Sequence, residues 1–275
     1  MLGPDTFRFY HGIGINLKQV LGLTEAGNPA FHEDGHLRFD SLGRPVPEAG
    51  LKISAKGEIL IKKESCFTGY HKDPERTKEV FEDGYYKTGD AGYISEDGQL
   101  IYIDRLKDLI QLGQGRKFSP QYVESRARFS QYIKDAIVLG GKDRSFVSAI
   151  IDLDRESVGH WAERKSIAFT NFAELSQMEP LRKVIRTELH KVNRNLPEYS
   201  RIRRFANMYK EFDADDSEVT RTHKLRRDFM EKKYADLISA IYEGKESVEV
   251  RTEVVYQDGK RGTISTVVHI TPLDD

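Results

Sequence analysis

Hydrophobic residues recur with two different spacings along this chain, and the change of spacing predicts its organisation. From about residue 40 to residue 104, they lie in short runs between Gly, Pro and Asp-Gly turns, which is typical of short antiparallel strands. From residue 105 onward, helical stripes alternate with strands. The clearest stripe, which indicates a helix between Pro180 and Pro197, consists of Leu181, Ile185, Leu189, Val192 and Leu196.

Shorter patterns complete this prediction. Residues 1–25 look like the end of an α/β unit, a short helix followed by a buried strand. The remaining predicted elements are a helix from Pro120 to near Tyr132, strands at 136–139 and 146–153, a helix over 225–242 and a hairpin over 248–270.

We therefore predict a mixed α/β and α+β fold. Residues 1–104 are expected to form a partial α/β subdomain with a small, distorted antiparallel β-barrel. Residues 105–243 are expected to form a separate compact α+β domain, with the boundary at Asp104 to Lys107, and residues 244–275 to add a hairpin extension.

Composition narrows the class of protein. The 275 residues carry a formal net charge of −1, so no global field favours binding to nucleic acid or to an anionic membrane. The single cysteine, Cys66, excludes an intrachain disulfide. No apolar stretch approaches the ~20 residues that span a bilayer, and the N-terminus does not resemble a secretory signal. These features predict a cytoplasmic protein and leave peripheral association with a membrane open.

Two histidines have a spacing that a metal could use on a helix. His32 and His36 lie four residues apart, but the stretch reads HEDGH, and its Asp-Gly turn interrupts helical spacing. The sequence therefore does not favour a metal site there.

Two glycine-rich stretches each present a carboxylate. LGLTEAG places the hydroxyl of Thr24 and the carboxylate of Glu25 between glycines, where a ligand can approach the backbone. A hard cation such as Mg²⁺ prefers oxygen ligands of this kind. GYYKTGDAG places Asp90 on a tight turn, where its carboxylate could accept two hydrogen bonds from a ribose diol. In isolation, the second stretch is a hairpin turn.

Two basic stretches follow. RLKDLIQLGQGRKFSPQYVE, residues 105–124, places Gly113 and Gly115 between basic residues, although no Walker loop is present. VTRTHKLRR, residues 219–227, places Lys224 close to a predicted helix start, where a compact charge can reach phosphate oxygens.

These four stretches, in this order, resemble the adenylate-forming superfamily, which includes acyl-CoA synthetases, luciferases and peptide-synthetase adenylation domains. The specific likeness is to AMP-forming long-chain fatty acyl-CoA synthetases. The run FTGYHKDPERTKEVFEDGYYKTGDAG, residues 67–92, and the run over 105–124 match characteristic runs of that family. The likeness covers residues 1 to about 243.

The resemblance implies roles for four residues around the nucleotide. Asp90 binds the ribose hydroxyls of ATP and of the acyl-adenylate, and Arg105 also touches the ribose. Thr24 contacts the α-phosphate, and Glu25 holds Mg²⁺.

It also implies roles for three residues of a mobile C-terminal lid domain. Lys107 lies at the hinge about which the lid turns, and Lys224 stabilises charge on the α-phosphate during adenylation. Gly115 lies where the pantetheine of CoA passes in the thioester-forming orientation.

The chain departs from the family pattern at several positions. No segment resembles the Ser/Thr/Gly-rich phosphate loop, which in the family precedes LGLTE together with most of the acyl pocket. Leu21 replaces a tyrosine that lies near adenine, a loss of stacking worth roughly 1 kcal/mol. Arg221 replaces a proline before Lys224. We expect the face formed by residues 1–25 to expose apolar surface, through which two copies could pair.

Two functional hypotheses follow from the resemblance, and a third, a plain structural protein with inherited motifs, is less favoured. In the first, the chain is part of a long-chain fatty acid–CoA ligase that uses ATP, Mg²⁺, CoA and a fatty acid. It is expected to be inactive without a separate N-terminal half. In the second, it is a non-catalytic remnant that binds AMP or a protein partner. Neither hypothesis involves nucleic acid or a transmembrane segment.

Overall fold

The computed structural model divides into two compact units, Met1–Leu109 and Ile110–Asp275. It describes residues 4–113, 115–194, 196–214, 216–220, 225–255 and 261–273. No helix in this described part of the chain is both long and apolar enough to cross a membrane.

The first unit, residues 1–109, begins with a helix and continues with antiparallel strands. Helix α1 (Pro4–Gly12) buries Phe7 and is followed by a three-stranded sheet of order β1-β2-β3. The strands of that sheet are β1 (Val20–Leu23), β2 (Gly27–Phe31) and β3 (Arg44–Pro45).

A second sheet in the same unit contains five strands around a long central strand, β7. The order is β4-β5-β7-β6, and β8 also pairs with β7, so the sheet forms a curled half-barrel. Its strands are β4 (Lys52–Ile53), β5 (Glu58–Lys62), β6 (Phe81–Glu82), β7 (Tyr85–Ile94) and β8 (Leu100–Arg105). Helix α2 (Pro74–Val80) lies between β5 and β6 in the chain.

The segment 1–25 differs from the buried strand predicted for it. The helix and the strand are both present. Of the first two residues of β1, however, Leu21 is buried and Val20 is exposed. Phe9 and Ile13 are 54% and 58% exposed. The expected apolar exposure is therefore present on this segment, and pairing of two copies through it stays a prediction.

The second unit, residues 110–275, is built on a five-stranded sheet of order β11-β12-β13-β15-β14. β12 and β13 are parallel, and the other neighbouring pairs are antiparallel. The strands of this unit are β9 (Ile110–Gln111), β10 (Lys117–Phe118), β11 (Ile133–Leu139), β12 (Val147–Leu153), β13 (Ile202–Asn207), β14 (Ser247–Val255) and β15 (Arg261–Pro272).

Helices cover both faces of this sheet. Ala136 and Val138 share a core with Leu189, whereas Ile137 and Leu139 share another with Leu237. Every residue of β12 is buried, as expected of a strand covered on both faces. The helices are α3 (Pro120–Ala127), α4 (Arg155–Arg164), α5 (Phe172–Gln177), α6 (Glu179–Asn193), α7 (Arg227–Lys233) and α8 (Ala235–Tyr242).

The mixed fold class is confirmed, and three predicted elements differ in detail. The helix that begins at Pro120 ends at Ala127, because the following turn leads into β11. The helix predicted over 225–242 is two helices that are separated at Tyr234. The hairpin strands are present, and β15 pairs with β13, so they extend the sheet of this unit. The predicted turn of that hairpin lies outside the described residues.

At Tyr234, where these two helices are separated, the hydroxyl donates to a buried carboxylate, Glu218, whose side chain is 0% exposed. Lys210 and Lys233 also donate to Glu218, at 2.6 and 2.8 Å, and so does the backbone N–H of Asp213 at 3.0 Å. Burial alone would raise the pKa of Glu218, but these donors outweigh burial and hold its pKa below the usual range.

A second buried carboxylate, Asp152 in β12, lacks such support. It is 1% exposed, and its Oδ1 has no hydrogen-bond partner among the described residues. Burial raises the pKa of Asp152 to about 7, although the N–H of Phe212 and the charge of Lys134 oppose the shift.

We expect the Asp152→Asn substitution to stabilise the protein in a pH-dependent way. Because the folded pKa lies above the unfolded value of 3.8, the folded state holds a proton that the unfolded state has lost. Stability therefore falls as pH rises from about 4 to about 7, by about 4 kcal/mol in total. Urea unfolding should show a gain for Asp152→Asn above pH 7 and little gain at pH 4. The exposed control Asp143→Asn should follow wild type, and a pH-independent difference for Asp152→Asn would contradict this assignment.

We expect Glu218→Ala to destabilise the protein by about 3 kcal/mol, because it leaves two partly buried lysines with Asp216 as their remaining carboxylate partner among the described residues. The control is Glu179→Ala, which breaks an exposed pair with Lys183 and should cost less than about 0.5 kcal/mol. The free energy of unfolding from urea titration checks both values. Equal losses of unfolding free energy in the two variants would show that the burial of Glu218 adds nothing to the stability that its ion pairs provide.

Candidate functional site

Asp90 lies within β7 and is 3% exposed. Its neighbour Thr88 donates its hydroxyl to the carbonyl of Ile59 at 2.8 Å and accepts the N–H of Asp90 at 3.0 Å. The predicted tight turn is therefore part of a continuous strand, and its carboxylate is held inside the sheet.

Glycine is required on each side of Asp90 for a different structural reason. Gly89 has a φ of +71°, a left-handed conformation that favours glycine, and its N–H donates to Glu58 at 3.0 Å. Gly92 adopts an ordinary φ, but a side chain there would lie 2.6 Å from the carbonyl of Ile101 in β8. The two glycines thus let β7 bend and lie close against β8.

Arg105 is the charged partner of Asp90. The two residues face each other across β7 and β8, with Arg105 Nε 3.0 Å from Asp90 Oδ1. The contact is an ion pair whose angles do not make a hydrogen bond, so the carboxylate keeps capacity to accept hydrogen bonds. Burial raises the pKa of Asp90, and the charge of Arg105 opposes that shift. The structure thus brings together two residues that the resemblance assigns to the ribose.

Thr24 and Glu25 form the turn between β1 and β2. Thr24 is exposed and Glu25 is half-buried. The charge of Glu25 makes a small contribution to the raised pKa of Asp90, after burial and the charges of Asp104 and Glu58. All four predicted nucleotide residues lie in the first unit, Met1–Leu109.

Glu25 is held by the run that begins at Phe67. The N–H of Phe67 donates to the carbonyl of Glu25 at 2.8 Å, and the hydroxyl of Tyr70 donates to Glu25 Oε1 at 2.9 Å. Tyr70 lies in a run that matches the family, but no sequence pattern predicts its contact with Glu25. The pairing joins residues 45 positions apart, and no periodicity marks it.

Leu21, the residue that departs from the family pattern, is buried in the core with Ala30 and Leu100. The remaining predicted residues lie outside this cluster. Lys107 is exposed in a short 3₁₀ helix after β8, two residues before the division between the units. Gly115 lies in the turn between β9 and β10.

Lys224 and Arg221 lie outside the described residues, but the chain on either side is firmly held. Val219 pairs with Leu225, and the N–H of Arg226 donates to the carbonyl of Glu218 at 2.9 Å. Arg227 donates to the buried carboxylate of Glu124 and, at 2.7 Å, to the carbonyl of Val138.

A cavity of about 240 Å³ in the second unit is lined in part by Arg116, the residue after Gly115. Arg201, Arg203 and Glu198 also line it, and the guanidinium carbon of Arg116 lies 5.2 Å from the ring centre of Tyr199. Planar guanidinium groups suit phosphate oxygens. The run RIRR, residues 201–204, supplies two of these arginines.

The chemistry of the first unit suits a nucleotide with a magnesium ion. Among the described residues, no group of three or more His, Cys, Asp or Glu side chains could enclose a metal. A single carboxylate such as Glu25 fits Mg²⁺, which keeps waters and shares its remaining positions with phosphates. The donor set therefore fits the ion that the resemblance implied.

Comparison with known proteins agrees with this geometry. A family model described as the AMP-binding enzyme C-terminal domain matches residues 107–246, about half of the chain. The long-chain-fatty-acid–CoA ligase FadD15 of Mycobacterium bovis is 32% identical over 243 residues, which cover 88% of this chain and 40% of that protein. Long chain acyl-CoA synthetase 1 of Arabidopsis thaliana is 32% identical over 249 residues, with coverages of 83% and 36%. The chain thus spans about two fifths of the length of these curated relatives.

Solved structures agree on the fold. The adenylation domain of a carboxylate reductase from Mycobacterium chelonae superposes with a TM-score of 0.60 at 25% identity, covering 88% of this chain and 37% of that one. A carboxylic acid reductase didomain from Segniliparus rugosus, solved in complex with AMP, has a TM-score of 0.59 at 23% identity, with coverages of 89% and 34%. These findings confirm the resemblance, and this chain belongs to the family of AMP-binding, adenylate-forming enzymes.

Proposed function

We propose that this chain is the portion of a long-chain fatty acid–CoA ligase that holds the AMP moiety of an acyl-adenylate and carries the lysine of the C-terminal domain. The observation that carries the proposal is the Asp90 carboxylate. It is buried in a strand, paired with Arg105, and retains capacity to accept hydrogen bonds.

The reaction has two halves. A carboxylate oxygen of the fatty acid attacks the α-phosphorus of ATP, and the bond to pyrophosphate breaks. The sulfur of CoA then attacks the carbonyl carbon of the acyl-adenylate, its proton is lost, and AMP leaves. The protein supplies orientation and charge neutralisation rather than a nucleophile.

Four residues of the first unit would hold the nucleotide. Asp90 accepts hydrogen bonds from the ribose diol, and Arg105 contacts the ribose while it balances the charge of Asp90. Thr24, exposed on its turn, donates its hydroxyl to the α-phosphate. Glu25 holds Mg²⁺, which when bound neutralises charge on the phosphates.

The second unit would serve the change between the two halves. The chain turns at Lys107 as a hinge, so that Lys224 reaches the α-phosphate for adenylation and leaves it for thioester formation. The pantetheine of CoA passes Gly115, and the arginine-lined cavity beside it suits the phosphates of CoA.

A second candidate is a non-catalytic module that binds AMP or a protein partner. The family likeness favours the ligase. ATP–pyrophosphate exchange in the presence of fatty acids, by an enzyme that joins this chain to the rest of its relatives' length, discriminates between them, because only a ligase part supports turnover there.

We expect Asp90→Ala to weaken AMP binding by roughly thirtyfold, because hydrogen bonds to a charged acceptor are worth about 2 kcal/mol. Calorimetric titration of the chain with AMP measures the effect. The control is Asp97→Ala, which removes an exposed carboxylate elsewhere in the same unit and should leave the affinity unchanged. Equal affinities of Asp90→Ala and wild type would refute the ribose assignment.

We expect Lys224→Ala to slow acyl-adenylate formation by about 10²–10³-fold in an enzyme that joins this chain to the rest of its relatives' length. Thioester formation from supplied acyl-adenylate should stay nearly unchanged, since the lysine has left the site by then. Asp90→Ala should slow both halves, because the ribose is held throughout. The control Lys232→Ala, an exposed lysine of α7, should slow neither. Equal slowing of both halves by Lys224→Ala would refute its assignment and the hinge.

A further inference from the structure

The hydroxyl of Tyr70 is committed to the candidate metal ligand. Tyr70 donates its only hydroxyl proton to Glu25 Oε1 at 2.9 Å. One oxygen of the Glu25 carboxylate is therefore held by a side chain of the run that begins at Phe67.

Phe67 connects this phenol to β7. Tyr86 is buried in β7, four residues before Asp90, and its ring lies 5.9 Å from that of Phe67. The ring of Phe67 also contacts that of Tyr70, so the phenol that donates to Glu25 packs, through Phe67, against the strand that carries the candidate ribose ligand.

The backbone of Tyr70 is fixed by the run that follows it. The N–H of Tyr70 donates to Thr77 Oγ1 at 2.9 Å, and that hydroxyl donates to the carbonyl of Asp73 at 2.8 Å. Asp73 also caps α2 by accepting the N–H of Arg76 at 3.0 Å. These hydrogen bonds close the turn between Tyr70 and Thr77 and fix the position from which the Tyr70 side chain extends.

The ring of Tyr70 is held on two sides. The guanidinium carbon of Arg76 lies 4.3 Å from its centre, and the ring of Phe67 lies 4.8 Å away at a steep angle. A side chain with both its backbone and its ring fixed can fix the group to which it donates.

We propose that Tyr70 is a positioning residue that orients the carboxylate of Glu25 toward a divalent cation bound with the nucleotide. The inference rests on the proposed function, in which Glu25 holds Mg²⁺. With Oε1 tied to Tyr70, the carboxylate cannot rotate freely and Oε2 is the oxygen presented to the ion. Partners that orient a metal ligand typically change metal affinity by about 10–100-fold when they are removed.

The test compares two variants that each remove one phenolic oxygen from the same unit. Tyr70→Phe keeps the ring and its contacts with Arg76 and Phe67, and deletes only the donor to Glu25. The control is Tyr85→Phe, which deletes the hydroxyl of a half-buried tyrosine next to Tyr86 in the same strand. The ammonium group of Lys52 lies over the ring of Tyr85. Binding of Mn²⁺·ATP to the 275-residue chain is followed by water-proton relaxation, and binding of metal-free AMP by calorimetry.

We expect Tyr70→Phe to weaken binding of Mn²⁺·ATP by about 10–100-fold while AMP affinity stays within about twofold of wild type. Tyr85→Phe should change neither. Unchanged Mn²⁺·ATP affinity in Tyr70→Phe would overturn the inference. An equal loss of both ligands would also overturn it, because a general structural defect does not distinguish metal from nucleotide.

A second measurement keeps this inference separate from the proposed function. The side-chain carboxyl ¹³C resonance of Glu25, assigned with Glu25→Gln, should shift in Tyr70→Phe and not in Tyr85→Phe. If wild type binds neither AMP nor Mn²⁺·ATP, the proposed function fails and this resonance decides the inference alone. A Glu25 resonance that is the same in wild type and Tyr70→Phe would then overturn it.

Discussion

The carboxylate of Asp90 lies inside a β-sheet, where a charge is stable only if an opposite charge or several donors compensate for its lost hydration. Arg105 supplies that charge from the directly opposite position of β8. A slip of one residue between β7 and β8 would turn one of the two side chains to the other face of the sheet. The ion pair therefore holds the register of the two strands on which the nucleotide site depends.

The second unit applies the same constraint to connect distant parts of the chain. Glu124 in α3 pairs with Arg227, 103 positions later, and Glu218 accepts donors from Lys210, Lys233 and Tyr234. Because these carboxylates are buried, each must keep its partners, and the segments that carry the partners are held with them. The described chain on both sides of the Lys224 segment is anchored in this way.

The hydrogen bond from Tyr70 to Glu25 joins the run from Phe67 to Thr77 to the Thr-Glu turn. It explains why these two stretches, 45 positions apart, belong to one site. Within the run, the N–H of Tyr70 donates to the hydroxyl of Thr77, and the hydroxyl of Tyr70 donates to Glu25 in the turn. Orientation of a single carboxylate matters most where the protein offers a cation so few ligands.

The sequence by itself determined the elements and the family. The stripe around Ile185 predicted α6, the apolar runs predicted β11 and β12, and Asp90 stood out because glycines flank a lone carboxylate; each signal depends on residues a few positions apart. Only the tertiary structure decided that the last predicted helix breaks at Tyr234, that Val20 is exposed, and that Tyr70 meets Glu25. Those outcomes depend on contacts between side chains that are 16 to 45 positions apart or on burial by other segments, and such contacts leave no periodic pattern in the chain.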